Sequence, residues 1–330
     1  MLSMNNGAPV LSADAIVAMA LRTTNENPVE FASGDVRSQR ISRDHPISRL
    51  RFVLRGDLNV SSTVTLDSLG LLNLIGNLRV SRNGNQDVIN LPGRVLESMH
   101  RMATGHEHYE VLPTLTSGTT SFVASVEIPL DTGGYTSLLD ATGDQSLDVA
   151  VTWNAVGDIV ASGTAALENV KLDIVPLVVT GALPGEAGGV GVPYFRNHVS
   201  FNDQPVTQSQ ADFRFDLVSG RGYHGLTLFA MEDGALSDDV INSVTLERQN
   251  ASNLRLEWDE IRAMNSDRYR LTGSEFTGVL DLPFVDPGHF EQTLSIRPSQ
   301  SMRLVLDVEH PGTTDSIGLV QSYFRNPGKG

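Results

Sequence analysis

Four segments from the first half of the chain recur, in the same order, in the second half. They are a strand that enters a polar turn, a helix-like segment, a strand that ends in proline, and a further strand. The pairs are IGNLRVSRNG (75–84) with INSVTLERQN (241–250), LPGRVLESMHRM (91–102) with NLRLEWDEIRAMNSDRY (253–269), VEIPLD (126–131) with LDLPFVD (280–286), and QSLDVAV (145–151) with QSMRLVL (300–306). The preserved order predicts a tandem duplication of one β-rich domain. The alternative is an unrepeated all-β protein, because alternating strands resemble one another by chance.

The third pair carries the most informative residues, Pro129 and Pro283. Proline lacks the N–H that a strand interior uses, so each is expected at a strand end or on an edge. The offset between the copies falls from 166 residues at the first pair (241 − 75) to 154 at the prolines (283 − 129). Exposed loops tolerate such differences in length.

Hydrophobic periodicity predicts what one copy folds into. In RLRFVLRGDLNV (49–60) the apolar residues Leu50, Phe52 and Leu54 alternate with a mostly charged face of Arg49, Arg51, Val53 and Arg55, and ADFRFDL (211–217) alternates its apolar residues with charges. This period of two indicates strands with one buried face. About eight such strands and one helix in each half favour an all-β fold, with two tandem eight-stranded jelly-roll barrels, each carrying a short helix.

Glycine and proline content divides the chain. The segment TGALPGEAGGVGVP (180–193) is the best candidate linker. We therefore expect an N-terminal arm at 1–45, a first jelly roll at 46–179, the linker at 180–193 and a second jelly roll at 194–330. Within the arm, LSADAIVAMALRTT (11–24) is typical of a short helix capped by Ser12 or Asp14. This helix either docks on a neighbour or a membrane surface, or packs on its own domain.

Composition excludes several classes of protein. The 330 residues have a formal net charge of −15, so a broad nucleic-acid-binding surface is not expected. The absence of cysteine excludes disulfides and thiolate metal sites. No apolar run approaches the ~20 residues that span a bilayer. No signal-peptide pattern begins the sequence, and we expect assembly in a reducing cytosol.

Two segments contain candidate metal ligands. In GHEHYE (105–110), the side chains of His106, His108 and Glu110 lie on one face if the segment is a strand. The pattern is similar to the HxH of cupin metal sites, but Glu110 follows too soon, and the next histidine is His198. We therefore interpret the segment as a solvated loop.

The Gly-rich loop 131–144 holds three candidate ligands for a structural calcium ion, which are Asp131, Asp140 and Asp144. Their spacing does not match an EF-hand, and the plainer interpretation is a polar surface turn. We predict no catalytic residue, no cofactor and no metal requirement, with these three aspartates as the only calcium candidates.

Enzyme signatures are missing from the sequence. Neither a GxSxG nucleophile elbow nor a GxxxxGK[ST] P-loop occurs. The chemically rich WDEIR (258–262) fits an amphipathic helix in which Trp258 and Ile261 face inward, whereas Asp259, Glu260 and Arg262 face water. We predict that the chain is not an enzyme.

Taken together, the strands and turns resemble those of a known family. The segments HPISRLRFVLRGDLNV, LLNLIGNLRVSRNGNQDVINLPGRVLESMHRMATG, TTSFVASVEIPLD and LLDATGDQSLDVAVTWN resemble the double jelly-roll major capsid proteins of tailless icosahedral viruses. The likeness is greatest to phages with an internal membrane. It spans residues 45–175 and, more loosely, 205–325.

The resemblance implies a structural role in a virion. We expect homotrimeric, pseudo-hexagonal capsomers that tile an icosahedral shell, assembled in the host cytoplasm. Expected partners are further copies of the chain and other virion proteins, such as penton or membrane proteins. The N-terminal arm is expected on the inner side, where Arg22, Arg37, Arg40 and Arg43 either meet anionic headgroups at ~1 kcal/mol each or remain solvated.

Two other functions remain open at this point. A carbohydrate-binding or adhesin-like β-sandwich of a surface or spike protein is the main alternative. Lectin grooves usually carry exposed aromatic residues, whereas aromatic residues make up only 6% of this chain. A cupin-like metalloenzyme lacks its distal histidine ligand.

Overall fold

The computed structural model describes residues 3–5, 8–10, 20–24, 26–66, 70–104, 109–111, 115–130, 138–180, 196–248, 251–269, 277–284, 294–296 and 300–325. Strands dominate this part of the chain, which confirms the predicted mostly-β class with two short α-helices. The strands are β1 (Ser3–Asn5), β2 (Ala8–Val10), β3 (Ala20–Thr23), β4 (Val29–Glu30), β5 (Val36–Arg40), β6 (Ile47–Val60), β7 (Thr65–Leu66), β8 (Ile75–Arg82), β9 (Gln86–Leu91), β10 (Tyr109–Val111), β11 (Gly118–Pro129), β12 (Leu147–Trp153), β13 (Val160–Ser162), β14 (Ala165–Thr180), β15 (Arg196–Val206), β16 (Gln210–Leu217), β17 (Gly222–Glu232), β18 (Ala235–Leu236), β19 (Ile241–Arg248), β20 (Ala251–Glu257), β21 (Val279–Pro283), β22 (Leu294–Ser295), β23 (Met302–Val308) and β24 (Asp315–Arg325). The helices are α1 (Gly93–Thr104) and α2 (Trp258–Tyr269), with 3₁₀ turns at Leu71–Leu74 and Val156–Asp158.

The chain divides into two compact units, Met1–Asn197 and His198–Gly330. The division falls just after the predicted linker. Thr180 ends β14, and residues 181–193 lie outside the described part of the chain.

Besides the two-stranded sheets β1-β2 and β7-β13, the first unit contains two larger sets of antiparallel strands. One has the strand order β10-β11-β6-β14-β3, and β4 also pairs with β14. The other has the order β9-β8-β12-β5. Helix α1 packs against β11 of one sheet and β8 of the other.

The second unit repeats this topology. Its sheets have the orders β15-β24-β17-β21 and β16-β23-β19-β20. In the first unit the same positions hold β3-β14-β6-β11 and β5-β12-β8-β9. Each of the four recurring sequence segments lies on equivalent elements, which are β8 with β19, α1 with α2, β11 with β21, and β12 with β23.

Strand alternation determines the core of each unit. Leu50, Phe52 and Leu54 of β6 are fully buried, as the sequence predicts. In the second unit, Phe213, Phe215 and Leu217 of β16 are also buried. Each such side chain stabilises the folded state by ~1.5–3 kcal/mol.

The N-terminal segment differs from its prediction. Residues 11–19 lie outside the described residues, but Ala20–Thr23 form strand β3 rather than the end of a helix. Strand β3 pairs with Leu177–Thr180 at the end of β14, and β5 pairs with β12. Strands β3, β4 and β5 of the predicted arm therefore belong to the larger sheets of the first unit, whereas β1 and β2 pair with each other. Edge positions of those larger sheets supply backbone hydrogen bonds that outweigh local helix propensity.

The second helix begins later than predicted, at Trp258 instead of near residue 253. Leu254 and Leu256 belong to β20, where they pair with Leu246 and Val244 of β19. The Glu260 carboxylate accepts the backbone N–H of Glu257 at 3.0 Å, which caps the helix at its observed start. Among the described residues, no helix has the length and apolarity to cross a bilayer.

Candidate functional site at two equivalent helix–strand junctions

Both informative prolines end a strand. Pro129 is the last residue of β11 and Pro283 is the last residue of β21, so the prediction from the sequence is confirmed. Each proline follows an acidic residue by two positions, Glu127 in β11 and Asp281 in β21. Both acidic residues are buried, at 9% and 7% exposure.

The first junction consists of Arg49, Arg51, His100 and Glu127. The backbone N–H of Glu127 donates to Nδ1 of His100, on α1, at 2.9 Å. The Glu127 carboxylate accepts hydrogen bonds from Arg49 and Arg51 of β6, each at 2.9 Å. These bonds connect helix α1 to strand β11, and strand β11 to its neighbour β6.

The second junction consists of Thr227, Asn265, Tyr269 and Asp281. Asn265 of α2 holds the backbone of Asp281 at two points: its Oδ1 accepts the N–H at 2.7 Å, and its Nδ2 donates to the carbonyl at 2.8 Å. The Asp281 carboxylate accepts hydrogen bonds from the Thr227 hydroxyl at 2.8 Å and from the Tyr269 hydroxyl.

The two junctions are equivalent in register as well as in topology. His100 and Asn265 are each the eighth residue of a twelve-residue helix. In the sheets, Glu127 lies opposite Arg51 and Asp281 lies opposite Thr227. Each junction therefore joins residues of three equivalent elements, which are the helix, the proline-ended strand and the long strand paired with it.

The pKa values of the two acids, Glu127 and Asp281, are shifted in opposite directions. Burial raises the pKa of Glu127, but hydrogen bonds and charges from Arg49 and Arg51 outweigh it, and the net pKa is lowered. Burial also raises the pKa of Asp281, and there the hydrogen bonds from Tyr269 and Thr227 do not offset it. The pKa of Tyr269 is raised by burial and by the neighbouring Asp281 carboxylate. The first junction is thus ionic, and the second is a buried network of hydrogen bonds.

Sequence reasoning missed both junctions. Alternation in VEIPLD places Glu127 on the face opposite Val126 and Ile128, so it was not considered as a buried residue. The available signal was the recurrence of acid, apolar residue and proline in both copies, as Glu127-Ile128-Pro129 and Asp281-Leu282-Pro283.

The calcium candidates are only partly described. Asp131 lies outside the described residues. Both oxygens of Asp144 are engaged, one by the buried Arg82 guanidinium and the other by Asn83 Nδ2 at 3.0 Å. Asp140 accepts the backbone N–H and the hydroxyl of Thr142 at 3.0 and 2.7 Å. Asp144 thus fixes the loop onto the Asn83-Gly84 turn, whereas Asp140 closes a local turn with Thr142.

Other predicted site residues lie elsewhere. His106 and His108 are outside the described residues, and Glu110 lies on the short strand β10. The described part of the chain contains no group of three or more metal-binding side chains.

The WDEIR segment follows its prediction at four of five positions. Trp258 and Ile261 are buried, whereas Asp259 and Glu260 are exposed. Arg262 does not face open water as predicted, because it forms an ion pair with Asp238 at 2.8 Å. The Trp258 indole N–H also donates to Asp238, at 3.2 Å, so this aspartate attracts both side chains.

The four arginines of the predicted membrane-facing arm have different surroundings. Arg37 and Arg40, on β5, form ion pairs with Asp35 and Asp148 at 3.2 and 3.3 Å. Arg22 is exposed and Arg43 is half-buried. Arg22 lines a cavity of about 180 Å³ that also holds His45 and two acidic side chains, Glu26 and Asp44.

Comparisons with known proteins place this geometry in a fold. No protein-family model matches the sequence, and no curated protein is significantly similar to it. Solved structures, in contrast, match over almost the whole length. The STIV MCP, from Sulfolobus Turreted Icosahedral Virus, has a TM-score of 0.77 at 16% identity, covering 93% of this chain and 97% of that chain.

The chain has the double jelly-roll fold of viral major capsid proteins. The major capsid protein P2 from bacteriophage PM2 matches with a TM-score of 0.61 at 10% identity, covering 93% of this chain and 97% of that one. The capsid of PBCV-1 gives a TM-score of 0.57 at 11% identity, with 93% of both chains covered. The resemblance inferred from the sequence is thereby confirmed at the level of the fold.

Proposed function

We propose that this chain is a major capsid protein, and that its two units are tandem eight-stranded jelly rolls. In this proposal it forms homotrimeric capsomers of pseudo-hexagonal outline that tile an icosahedral shell. The observation that carries the proposal is the full-length likeness to the STIV MCP, at 93% and 97% coverage. A likeness confined to one unit would fit any β-sandwich protein.

The repeated topology supports a tile with six similar corners. Two units of equivalent strand order in one chain give six similar units when three chains associate. A closed shell needs tiles that meet both five and six neighbours, and similar corners allow this with small changes in the loops. Trimer contacts are then large and obligate, and contacts between trimers are polar and weak.

The exposed surface supports a shell protein over a lectin. Among the side chains that the structure describes, the large exposed hydrophobic residues are Val36, Val111, Val218 and Met264. None of these is aromatic, whereas sugar-binding grooves commonly stack aromatic rings on the ligand. The carbohydrate-binding alternative therefore lacks a fully exposed aromatic residue among the described side chains.

The remaining parts of the proposal follow from the capsid role. The protein acts in the virion shell after assembly in the host cytoplasm, with copies of itself and with penton or membrane proteins as partners. It is non-enzymatic, needs no cofactor or metal and reads no nucleic-acid sequence. Contact of the N-terminal arm with an inner membrane is part of the proposal. Arg22 and Arg43 are the arginines assigned to this contact, because Arg37 and Arg40 form ion pairs with Asp35 and Asp148.

Electron microscopy of the purified protein tests the proposal. We expect class averages with threefold symmetry, a hexagonal outline and six density maxima, or closed particles built from such tiles. Particles with two lobes and no rotational symmetry would overturn it. Imaging at two protein concentrations that differ tenfold distinguishes a stable trimer, which persists at the lower concentration, from particles that only lie close together at the higher one.

A further inference from the structure

The two junctions differ in whether their helix residue can take up a proton. His100 and Asn265 occupy the same position and accept the same kind of bond, from the backbone N–H of the acid on the proline-ended strand. An imidazole gains a proton near pH 6.5, whereas a carboxamide has no titration in this range. The bond between helix and strand therefore involves a titratable side chain in the first junction and a non-titratable one in the second.

The hydrogen bond defines the tautomer of His100. Because Nδ1 accepts the Glu127 N–H, Nδ1 carries no proton and the ring proton is on Nε2. Nε2 lies 3.5 Å from the Thr104 hydroxyl, which itself donates to the His100 carbonyl at 2.9 Å. A second proton on Nδ1 would direct its N–H at the Glu127 N–H and abolish the bond.

Charged groups lie on several of the elements around His100. Across the junction, one carboxylate, Glu127, is shared by two guanidinium groups, Arg49 and Arg51. Helix α1 packs against β11, β8 and the 3₁₀ turn Leu71–Leu74. The other charged groups on these described elements are Arg94, Glu97 and Arg101 on α1, and Arg79 and Arg82 on β8, which are paired with Asp87 and Asp144.

We propose that proton uptake by His100 opens the first junction and releases α1 from β11, while the second junction stays closed. Below about pH 6.5 the first junction then opens progressively more often, and the second unit keeps its helix attached through Asn265. The inference goes beyond the capsid role and applies to the folded chain in any state of association. Its failure would leave the capsid proposal intact.

Hydrogen–deuterium exchange at pH 7.5 and 5.5 tests the proposal. The exchange rate of each peptide is divided by its rate in the unfolded protein at the same pH, which removes the pH dependence of the chemical exchange itself. If the closed junction excludes the proton, one pH unit below 6.5 raises opening about tenfold. We expect that rise for peptides covering 93–104 and 118–130, and no rise for 258–269 and 277–284. Glu127 remains ionised over this range, because its pKa is lowered from 4.5.

Reciprocal variants supply the controls. His100→Asn gives the first junction the residue of the second, so its exchange should no longer respond to pH. Asn265→His should create a new response in the second unit. An unchanged exchange rate in the wild-type first junction would overturn the proposal, as would an equal response in wild type and His100→Asn. If His100→Asn does not fold, the pH response of the wild-type protein and of Asn265→His still decides the proposal.

Discussion

Glu127 and Asp281 lie at the same position of two equivalent strands, two residues before the proline that ends each strand. Each has its backbone N–H bound by the eighth residue of a helix, at 2.9 and 2.7 Å. The side-chain partners have diverged, with arginines around Glu127 and hydroxyl groups around Asp281. A helix that covers a strand end without such a bond would leave a buried N–H unpaired, at a cost of ~1–3 kcal/mol.

Asp281→Ala should weaken the second unit. The substitution leaves the hydroxyl groups of Tyr269 and Thr227 without their buried acceptor, and we expect a loss of ~2–4 kcal/mol of unfolding free energy. Trp258 lies at the start of α2, so its fluorescence in a Trp153→Phe background reports on this unit. Thr227→Val removes only one donor and should lose about 1 kcal/mol. Equal stability of Asp281→Ala and its parent would contradict the network.

Acid should affect the two junctions in opposite directions. The pKa of Glu127 is lowered, so its stabilisation is fully present above the ordinary value of 4.5 and is lost as the pH falls from there through the lowered pKa. The pKa of Asp281 is raised, so its contribution is most favourable below the ordinary value of 3.8 and is lost as the pH rises toward the raised pKa.

Melting temperatures between pH 6 and 3.5 measure this difference. The advantage of wild type over Glu127→Gln should shrink toward low pH, whereas wild type should gain on Asp281→Asn. Parallel pH profiles for the two variants would show that the acids do not differ as described.

Gly93→Ala should destabilise the first unit, although alanine favours helices. A Cβ at Gly93 would overlap the carbonyl oxygens of Leu72 and Ile75, which are backbone atoms and cannot rotate away. Overpacking of this kind costs ~1–3 kcal/mol. Gly143→Ala is the matched control, because a Cβ there meets no atom within 4 Å and should change stability by less than about 0.5 kcal/mol. Chemical denaturation of both variants gives the comparison.

Asp144→Ala should be more harmful than removal of the whole ion pair. Arg82 is only 3% exposed, so loss of its carboxylate leaves a buried charge and costs ~3–5 kcal/mol. Arg82→Met combined with Asp144→Ala should recover most of this loss. A double-mutant cycle in which the two effects simply add would show that the pair is not coupled.

Local patterns predicted the elements that alternation and proline determine. The apolar alternation of Leu50, Phe52 and Leu54 located β6 and its buried face. Pro129 and Pro283 located two strand ends, and Asn83-Gly84 located a turn in which both residues have positive φ, at 51° and 75°. These features depend on neighbours in sequence, so they are accessible without a structure.

Features set by distant partners were not predictable in this way. The edge of β14 makes Ala20–Thr23 a strand, although the local sequence favours a helix. The burial of Glu127 depends on α1, which precedes it by more than twenty residues and covers its strand. Asp144 resembled a calcium ligand in isolation, and only its contact with Arg82 identifies it as the acid of an ion pair.

Size-exclusion chromatography with light scattering tests the central claim, that two equivalent units in one chain make a tile of three chains. We expect one species of roughly 107 kDa, three times the 35.7 kDa of the chain, that persists on tenfold dilution. A species of 35.7 kDa at every concentration would contradict it.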